Sequence, residues 1–293
     1  MNTRESYSTR IGRVAAYIWD NLDKPLDLEK LADVACFSPY HFHRIYRMEM
    51  GETAAQTIRR LRLHRAAVGL SEGSAPLERI AKGAGYGSVE AFSRAFASAY
   101  GQPPAAYRAR RQDPDGASPS FEPPGDGGQP DGQAYSVTVT RTPALRLAGF
   151  SHKGDYQTIG TTFDRLYAWA GPRDLVDGET RHIAVYYGDE TGLPEKDLRS
   201  FAGITVTADF APAACREGPA ADTVDIPAGP VAVLRHTGPY SDLERAYRYL
   251  YGTWLAGSGH DPADLPCFED YLNDPRTCPP TELLTDIYLP LAP

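Results

Sequence analysis

Cysteine is scarce in this chain. The four present among 293 residues (Cys36, Cys215, Cys267 and Cys278) form no CxxC pair and no Cys/His cluster at zinc spacing, so reduced structural thiols are expected and no metal site. Long apolar runs are also missing. No stretch approaches the ~20 residues needed to span a bilayer, and the polar start Met1-Asn2-Thr3-Arg4-Glu5-Ser6 lacks the apolar segment of a signal peptide. A cytoplasmic protein with no membrane partner is expected. Signatures of common enzyme chemistry are absent too: there is no GxSxG nucleophile elbow, and the glycines at 125, 127 and 128 lie in a Pro/Gly-rich stretch with no helix after it, unlike a phosphate loop. No catalytic residue and no cofactor is assigned.

Excess positive charge is lacking as well, since the net charge is -8. Taken alone this argues against nucleic acid, but the distribution reverses the inference. Residues 1–112 hold 17 Lys+Arg against 11 Asp+Glu, a balance of +6, and the remainder holds 13 against 27, a balance of -14. A basic half joined to an acidic half suggests a DNA-facing module fused to something else.

The basic half is organised around residues 38–51. Ser38 is a good N-cap, and Pro39 suits the first helical position, where a missing N–H costs nothing. Phe42, Ile45, Tyr46 and Met50 recur at helical spacing and are expected to face a core. Tyr40, His43, Arg44 and Arg47 fall at i, i+3, i+4 and i+7 on the opposite, polar face. Upstream, Asp27 caps the helical pattern over residues 28–35, and so tight a connection between two short helices reads as a helix-turn-helix. An amphipathic helix over residues 9–21 is expected beneath the unit, with Trp19 in the core.

The unit occurs twice. Leu28-Glu29-Lys30-Leu31-Ala32 is echoed by Leu77-Glu78-Arg79-Ile80-Ala81, Phe42-His43-Arg44-Ile45-Tyr46 by Phe92-Ser93-Arg94-Ala95-Phe96, and Gly51 by Gly101. Residues 53–70 between them fit one helix of roughly 27 Å, a rod able to hold two reading helices about one duplex turn, ~34 Å, apart.

Together with the closing Gly101-Gln102-Pro103-Pro104-Ala105-Ala106-Tyr107-Arg108, this doubled motif resembles the DNA-binding domain of AraC/XylS-type transcription regulators. The resemblance implies that Tyr40, His43 and Arg44 in the first unit, and Glu90, Ser93 and Arg94 in the second, contact bases or adjacent phosphates. Val89 and Ala91 offer no hydrogen bonds, so the second unit is expected to give mainly phosphate contacts.

Residues 113–134 are dominated by Pro, Gly, Asp and Ser and are expected to form a flexible tether that leaves the modules mechanically loose. From 135 to 293 the pattern changes to strands and helices in a duplicated strand-helix-strand-strand order. The joints match at an offset of 84: His152-Lys153-Gly154-Asp155-Tyr156 against His236-Thr237-Gly238-Pro239-Tyr240. The expected fold is an all-α N-terminal domain followed by an α+β domain, whose antiparallel sheet carries two helices on one side and a groove near the pseudo-twofold axis. His152 and His236 are read as turn-supporting, and Tyr156, Tyr240, Trp169 and Trp254 as core or rim.

This pattern, with Phe268-Glu269-Asp270-Tyr271-Leu272-Asn273-Asp274-Pro275 and Thr285-Asp286-Ile287-Tyr288-Leu289-Pro290-Leu291 near the end, resembles the GyrI-like effector-binding domain. The resemblance implies a pocket for bulky, flat, cationic or hydrophobic compounds. In a strand Glu269 and Tyr271 share a face, as do Asp286 and Tyr288, and carboxylates framed by tyrosines suit a cation. The expected partners are double-stranded DNA and a small-molecule effector, with RNA polymerase as a further one. Two alternatives stay open for the second domain: a small-molecule hydrolase using Glu269 and Tyr271, or a protein-interaction module.

Overall fold

A computed structural model describes residues 3–72, 75–111, 135–188, 195–211 and 220–293. The tether over 113–134 and Cys215 lie outside the described residues.

Helix α1 (Thr3–Asp20) turns Ile11, Val14 and Ile18 inward. Against it pack α2 (Leu28–Ala35), capped by the Asp27 carboxylate, and α3 (Pro39–Met50), capped by the Ser38 hydroxyl. The long α4 (Ala54–Glu72) leads to α5 (Leu77–Gly83), α6 (Val89–Tyr100) and α7 (Pro104–Arg111). Both reading helices end on a left-handed glycine, Gly51 at φ 71° and Gly101 at φ 70°, a conformation glycine adopts without steric cost. The second unit has its own core of Leu63, Leu70, Phe92, Phe96 and Tyr107. Two expectations fail locally. Trp19 is 53% exposed, because Val14 and Ile18 already fill the inward stripe of α1, and Met50 is 37% exposed in the last turn of α3, where Gly51 turns the chain away.

The C-terminal half has strands β1 (Val137–Thr142), β2 (Leu145–Lys153), β3 (His182–Tyr186), β4 (Arg199–Val206), β5 (Asp222–Ile226), β6 (Gly229–Thr237), β7 (Cys267–Tyr271) and β8 (Leu284–Pro290). Helix α8 (Gly160–Ala170) belongs to the first repeat. Helix α9 (Leu243–Tyr249), continued by a π-helical segment (Leu250–Leu255) and the short α10 (Ala256–Ser258), belongs to the second. The strands form one antiparallel sheet in the order β1-β6-β8-β7-β3-β4-β2-β5. Exchanging the repeats maps this order onto itself about the central β7–β3 pair, so the pseudo-twofold axis passes between those strands. Each repeat also lends its first strand to the other half, β1 beside β6 and β5 beside β2. That exchange ties the two repeats into one sheet.

The turns at the two joints are built alike. His152 Nδ1 meets the Thr162 hydroxyl at 2.8 Å and its Nε2 meets the Asp155 carbonyl at 3.1 Å. His236 pairs with Tyr135 at 3.3 Å and with the Pro239 carbonyl at 3.4 Å. Both histidines support turns, as their place before a glycine suggests.

The halves are not loose with respect to each other. One apolar core runs from Tyr7, Ile11, Phe42 and Ile45 of the first helical unit into Leu250, Leu255, Ile287 and Leu289 of the second repeat. Polar contacts flank it: the Tyr7 hydroxyl donates to the His260 carbonyl at 3.1 Å, Ser38 to the Asp264 carboxylate at 2.7 Å, and Arg10 pairs with Asp261 at 3.3 Å. Composition led to the expectation of loosely joined modules and said nothing about these non-local surfaces.

Candidate effector cavity and DNA-reading helices

A cavity of about 760 Å³ opens between α8 and α9 over the central β3–β7 pair, where the duplication places a groove. Its walls are aromatic: Tyr156, Phe163 and Tyr167 from the first repeat, Tyr240 and Tyr247 from the second. Tyr156 and Tyr240 are equivalent residues at the repeat offset of 84, so the two-fold relation furnishes the cavity with matched rings.

Glu269 on β7 is the buried charge at this site, 3% exposed. One carboxylate oxygen accepts from the Tyr247 hydroxyl and the other from the Tyr271 hydroxyl, each at 2.8 Å. The Tyr186 hydroxyl lies 2.8 Å from that of Tyr271 and is also hydrogen-bonded to Glu269, so three phenols converge on one carboxylate. Burial pushes the Glu269 carboxyl up, opposed by hydrogen bonds from Tyr247 and Tyr271, by the nearby positive charge of Arg44 and by a hydrogen bond from Tyr186. Burial also drives Tyr247 and Tyr271 well above the usual phenol range, so both stay protonated as donors.

Asp286 and Tyr288 do not join this site. The β7–β8 register sets Glu269 opposite Ile287, Asp270 opposite Asp286 and Phe268 opposite Tyr288. Directly opposed residues share a face, so Asp286 and Tyr288 point to the other side of the sheet from Glu269 and Tyr271. There Asp286 takes two 2.7 Å hydrogen bonds from Arg235, Asp270 takes one of 2.8 Å from Arg181, and Tyr288 stacks on Phe268 at 4.5 Å. Conversely, Tyr247, Tyr186 and Phe163 line the cavity although sequence reasoning singled none of them out. The usable signal was the density of tyrosines on the second-repeat helix, with Tyr247 and Tyr251 one turn apart.

The two reading helices differ in presentation. On α6, Glu90 and Arg94 are exposed and Ser93 is half-buried. On α3, the face bearing Tyr40, His43, Arg44 and Arg47 is covered by the C-terminal half instead of lying open. His43 is buried, Tyr40 is half-buried, Arg47 lies 3.6 Å from Glu244, and the Arg44 guanidinium sits 4.0 Å over the ring of Tyr247 and 5.4 Å from that of Tyr251. Arg44 also lines the cavity. In this arrangement the α3 face expected to contact bases or adjacent phosphates is therefore covered, while Glu90 and Arg94 of α6 are exposed. The reason is docking of a second domain onto a helix whose own fold is as expected.

His41, the residue before Phe42, is fully buried in the same seam. Its Nε2 meets the Ala263 carbonyl at 2.9 Å and its Nδ1 the Tyr251 hydroxyl at 2.7 Å. A carbonyl only accepts, so Nε2 carries the proton and Nδ1 accepts from Tyr251. The Cys267 thiol, 3.1 Å away, then donates to Tyr251. Burial, aided by the Arg44 charge, pushes His41 down to about 4.

Among the described residues, no group of three or more His, Cys, Asp or Glu side chains is placed to hold a metal ion, and no helix is long and apolar enough to cross a membrane.

Residues 135–292 match the GyrI-like small molecule binding domain, and residues 31–110 match a helix-turn-helix domain family. The multiple antibiotic resistance protein MarA of Escherichia coli (strain K12) is 31% identical over 108 residues, covering 37% of this chain and 85% of that protein. A DNA gyrase inhibitor of Erwinia billingiae is 30% identical over 141 residues, covering 47% of this chain and 87% of that protein. The solved C-terminal domain of EcmrR is similar at 18% identity, covering 55% of this chain and 99% of that one, with a TM-score of 0.42. With its doubled helix-turn-helix followed by a duplicated sheet domain, the chain belongs to the AraC-type transcription regulators that carry a GyrI-like small-molecule-binding domain.

Proposed function

We propose that this protein is a sequence-specific DNA-binding regulator whose C-terminal cavity senses a flat, aromatic or hydrophobic cation. The observation that carries the effector reading is Glu269, a buried carboxylate held by two tyrosine hydroxyls in an aromatic cavity. A buried carboxylate is costly unless a counter-charge matches it, and a cation held between the rings supplies both that charge and contact with ring faces. Tyr40, His43, Arg44 and Arg47 on α3, with Glu90, Ser93 and Arg94 on α6, are the proposed DNA-contacting set. No hydrolytic role is assigned, because both oxygens of Glu269 are engaged by Tyr247 and Tyr271, which leaves it poorly set to position water.

The effector can alter transcription only if it favours one arrangement of the two halves over another. The experiment is to select an operator from random duplexes, then measure its affinity for the full chain across a panel of lipophilic cations and neutral analogues of equal size. Binding of the cations alone, with a change in operator affinity, supports the reading. Cations and neutral analogues binding alike, with operator affinity unmoved, removes it. Turnover of panel compounds by the protein would establish the hydrolase reading instead.

A further inference from the structure

We propose that Arg44 is an internal occupant of the effector cavity, so that a cationic effector displaces its guanidinium and releases α3 for DNA. This rests on the reading of the cavity as a cation site and deepens it by naming the coupling residue.

Three observations converge on Arg44. It belongs to the DNA-reading helix, at a position on the polar face proposed to enter the groove. Its guanidinium leaves that helix and lies 4.0 Å over the Tyr247 ring, and Tyr247 itself donates to Glu269. It also lines the same cavity as Glu269 and Tyr271. A cation packed on an aromatic face beside a buried carboxylate is the arrangement expected of a bound cationic ligand. Here the protein supplies it from its other domain.

Competition follows from charge. Glu269 is the buried carboxylate of the cavity, and one carboxylate neutralises one cation. The other carboxylates of the lining, Asp164, Glu244 and Asp274, are exposed or half-buried, so the inner subsite offers one counter-charge. The Tyr247 face that a second cation would need is already covered by the Arg44 guanidinium at 4.0 Å. Effector and guanidinium therefore exclude each other from the subsite beside Tyr247.

Exclusion at the cavity becomes exclusion at DNA because α3 is docked on the C-terminal half. Arg47 reaches Glu244 at 3.6 Å and His41 is hydrogen-bonded to Tyr251 at 2.7 Å, so the reading face cannot lie in a major groove while docked. Removing Arg44 from the cavity detaches one of these holds. By linkage, a cation that favours the released state tightens DNA binding, and DNA tightens cation binding by the same factor. α6 is not engaged in this way, since Arg94 is exposed.

The test uses the full chain, wild type and Arg44→Met, with tetraphenylphosphonium as the cationic probe. Direct titration is expected to show the variant binding the probe at least tenfold more tightly, because no internal cation competes. Amide exchange of the wild type is the second measurement. Saturating probe is expected to speed exchange severalfold in residues 40–50 and to leave residues 89–100 unchanged. Equal or weaker binding by Arg44→Met, or unchanged exchange in α3 with the probe bound, overturns the proposal while the cavity reading stands. Binding to neither protein removes the cavity reading and this proposal with it.

Discussion

His41 and Tyr251 are 210 residues apart in sequence and share a 2.7 Å hydrogen bond in the seam between the two halves. The bond needs a neutral imidazole, since Nδ1 must accept. His41 is held at about 4 against an ordinary 6.5, so its charged form is disfavoured in the docked state. The sign is therefore fixed. The contribution is complete above pH 6.5 and is lost as pH falls toward about 4. The gap corresponds to roughly 3 kcal/mol. Urea unfolding between pH 7 and pH 4 is expected to lose stability of this order from His41. His41→Gln, which keeps a donor and an acceptor without titrating, is expected to flatten that part of the profile.

Replacing Glu269 by Gln removes the charge and keeps the shape. Binding of a lipophilic cation is expected to weaken by about 1.5 to 3 kcal/mol, the range for a hydrogen-bonded buried charge. Binding of a neutral aromatic of the same size should change little. Calorimetric titration of both ligands checks this, and equal losses for the two would mean that the cavity selects shape and ignores charge.

For the reading helices, the comparison is Arg44→Ala against Arg94→Ala on a selected operator and on scrambled duplex. With tetraphenylphosphonium saturating, so that α3 is released in wild type and variant alike, Arg44→Ala is expected to cost about 1 to 3 kcal/mol with relaxed preference at one base. Arg94→Ala is expected to weaken binding uniformly and to lower the salt slope by about 1, the pattern of a phosphate contact. Gel-shift titrations at several salt concentrations separate the two.

Gly149 on β2 faces the backbone of β4. A Cβ built there falls 2.0 Å from the Ala202 carbonyl oxygen and 2.7 Å from the Gly203 Cα. Backbone cannot rotate away as a side chain can, so Gly149→Ala is expected to lower stability by about 3 kcal/mol. Thermal melting of the full chain reads the loss. At Gly51 a Cβ meets nothing within 4 Å, so the cost of Gly51→Ala comes from its positive φ alone, about 1 kcal/mol.

Tyr46 tests the first unit from inside. Its hydroxyl donates to Thr57 at 3.0 Å, and Thr57 donates to Glu52 at 2.9 Å, which is ion-paired with Arg60. Tyr46→Phe leaves the ring in place and deletes one hydrogen bond, for an expected loss of roughly 1 kcal/mol in chemical denaturation.

What the sequence determined by itself was local or repeated. Ser38 and Asp27 cap helices because an oxygen beside the first turn meets free N–H groups, and that chemistry needs no distant partner. The two duplications were legible as matched residues, and through them the doubled helix-turn-helix, the two-fold sheet and the place of the cavity. Glu269 and Tyr271 share a face because alternation along one strand is fixed by the backbone. Tertiary structure alone decided which face β8 turns beside β7. The register pairs Asp270 with Asp286 and so sends Asp286 and Tyr288 to the far side of the sheet, a matter of alignment between strands that neither strand encodes alone. It also decided where α3 lies. Its polar face reads equally well as a surface for DNA or for another protein domain, and only the meeting of Arg44 with Tyr247 shows that, in this arrangement, the second is the one that covers it.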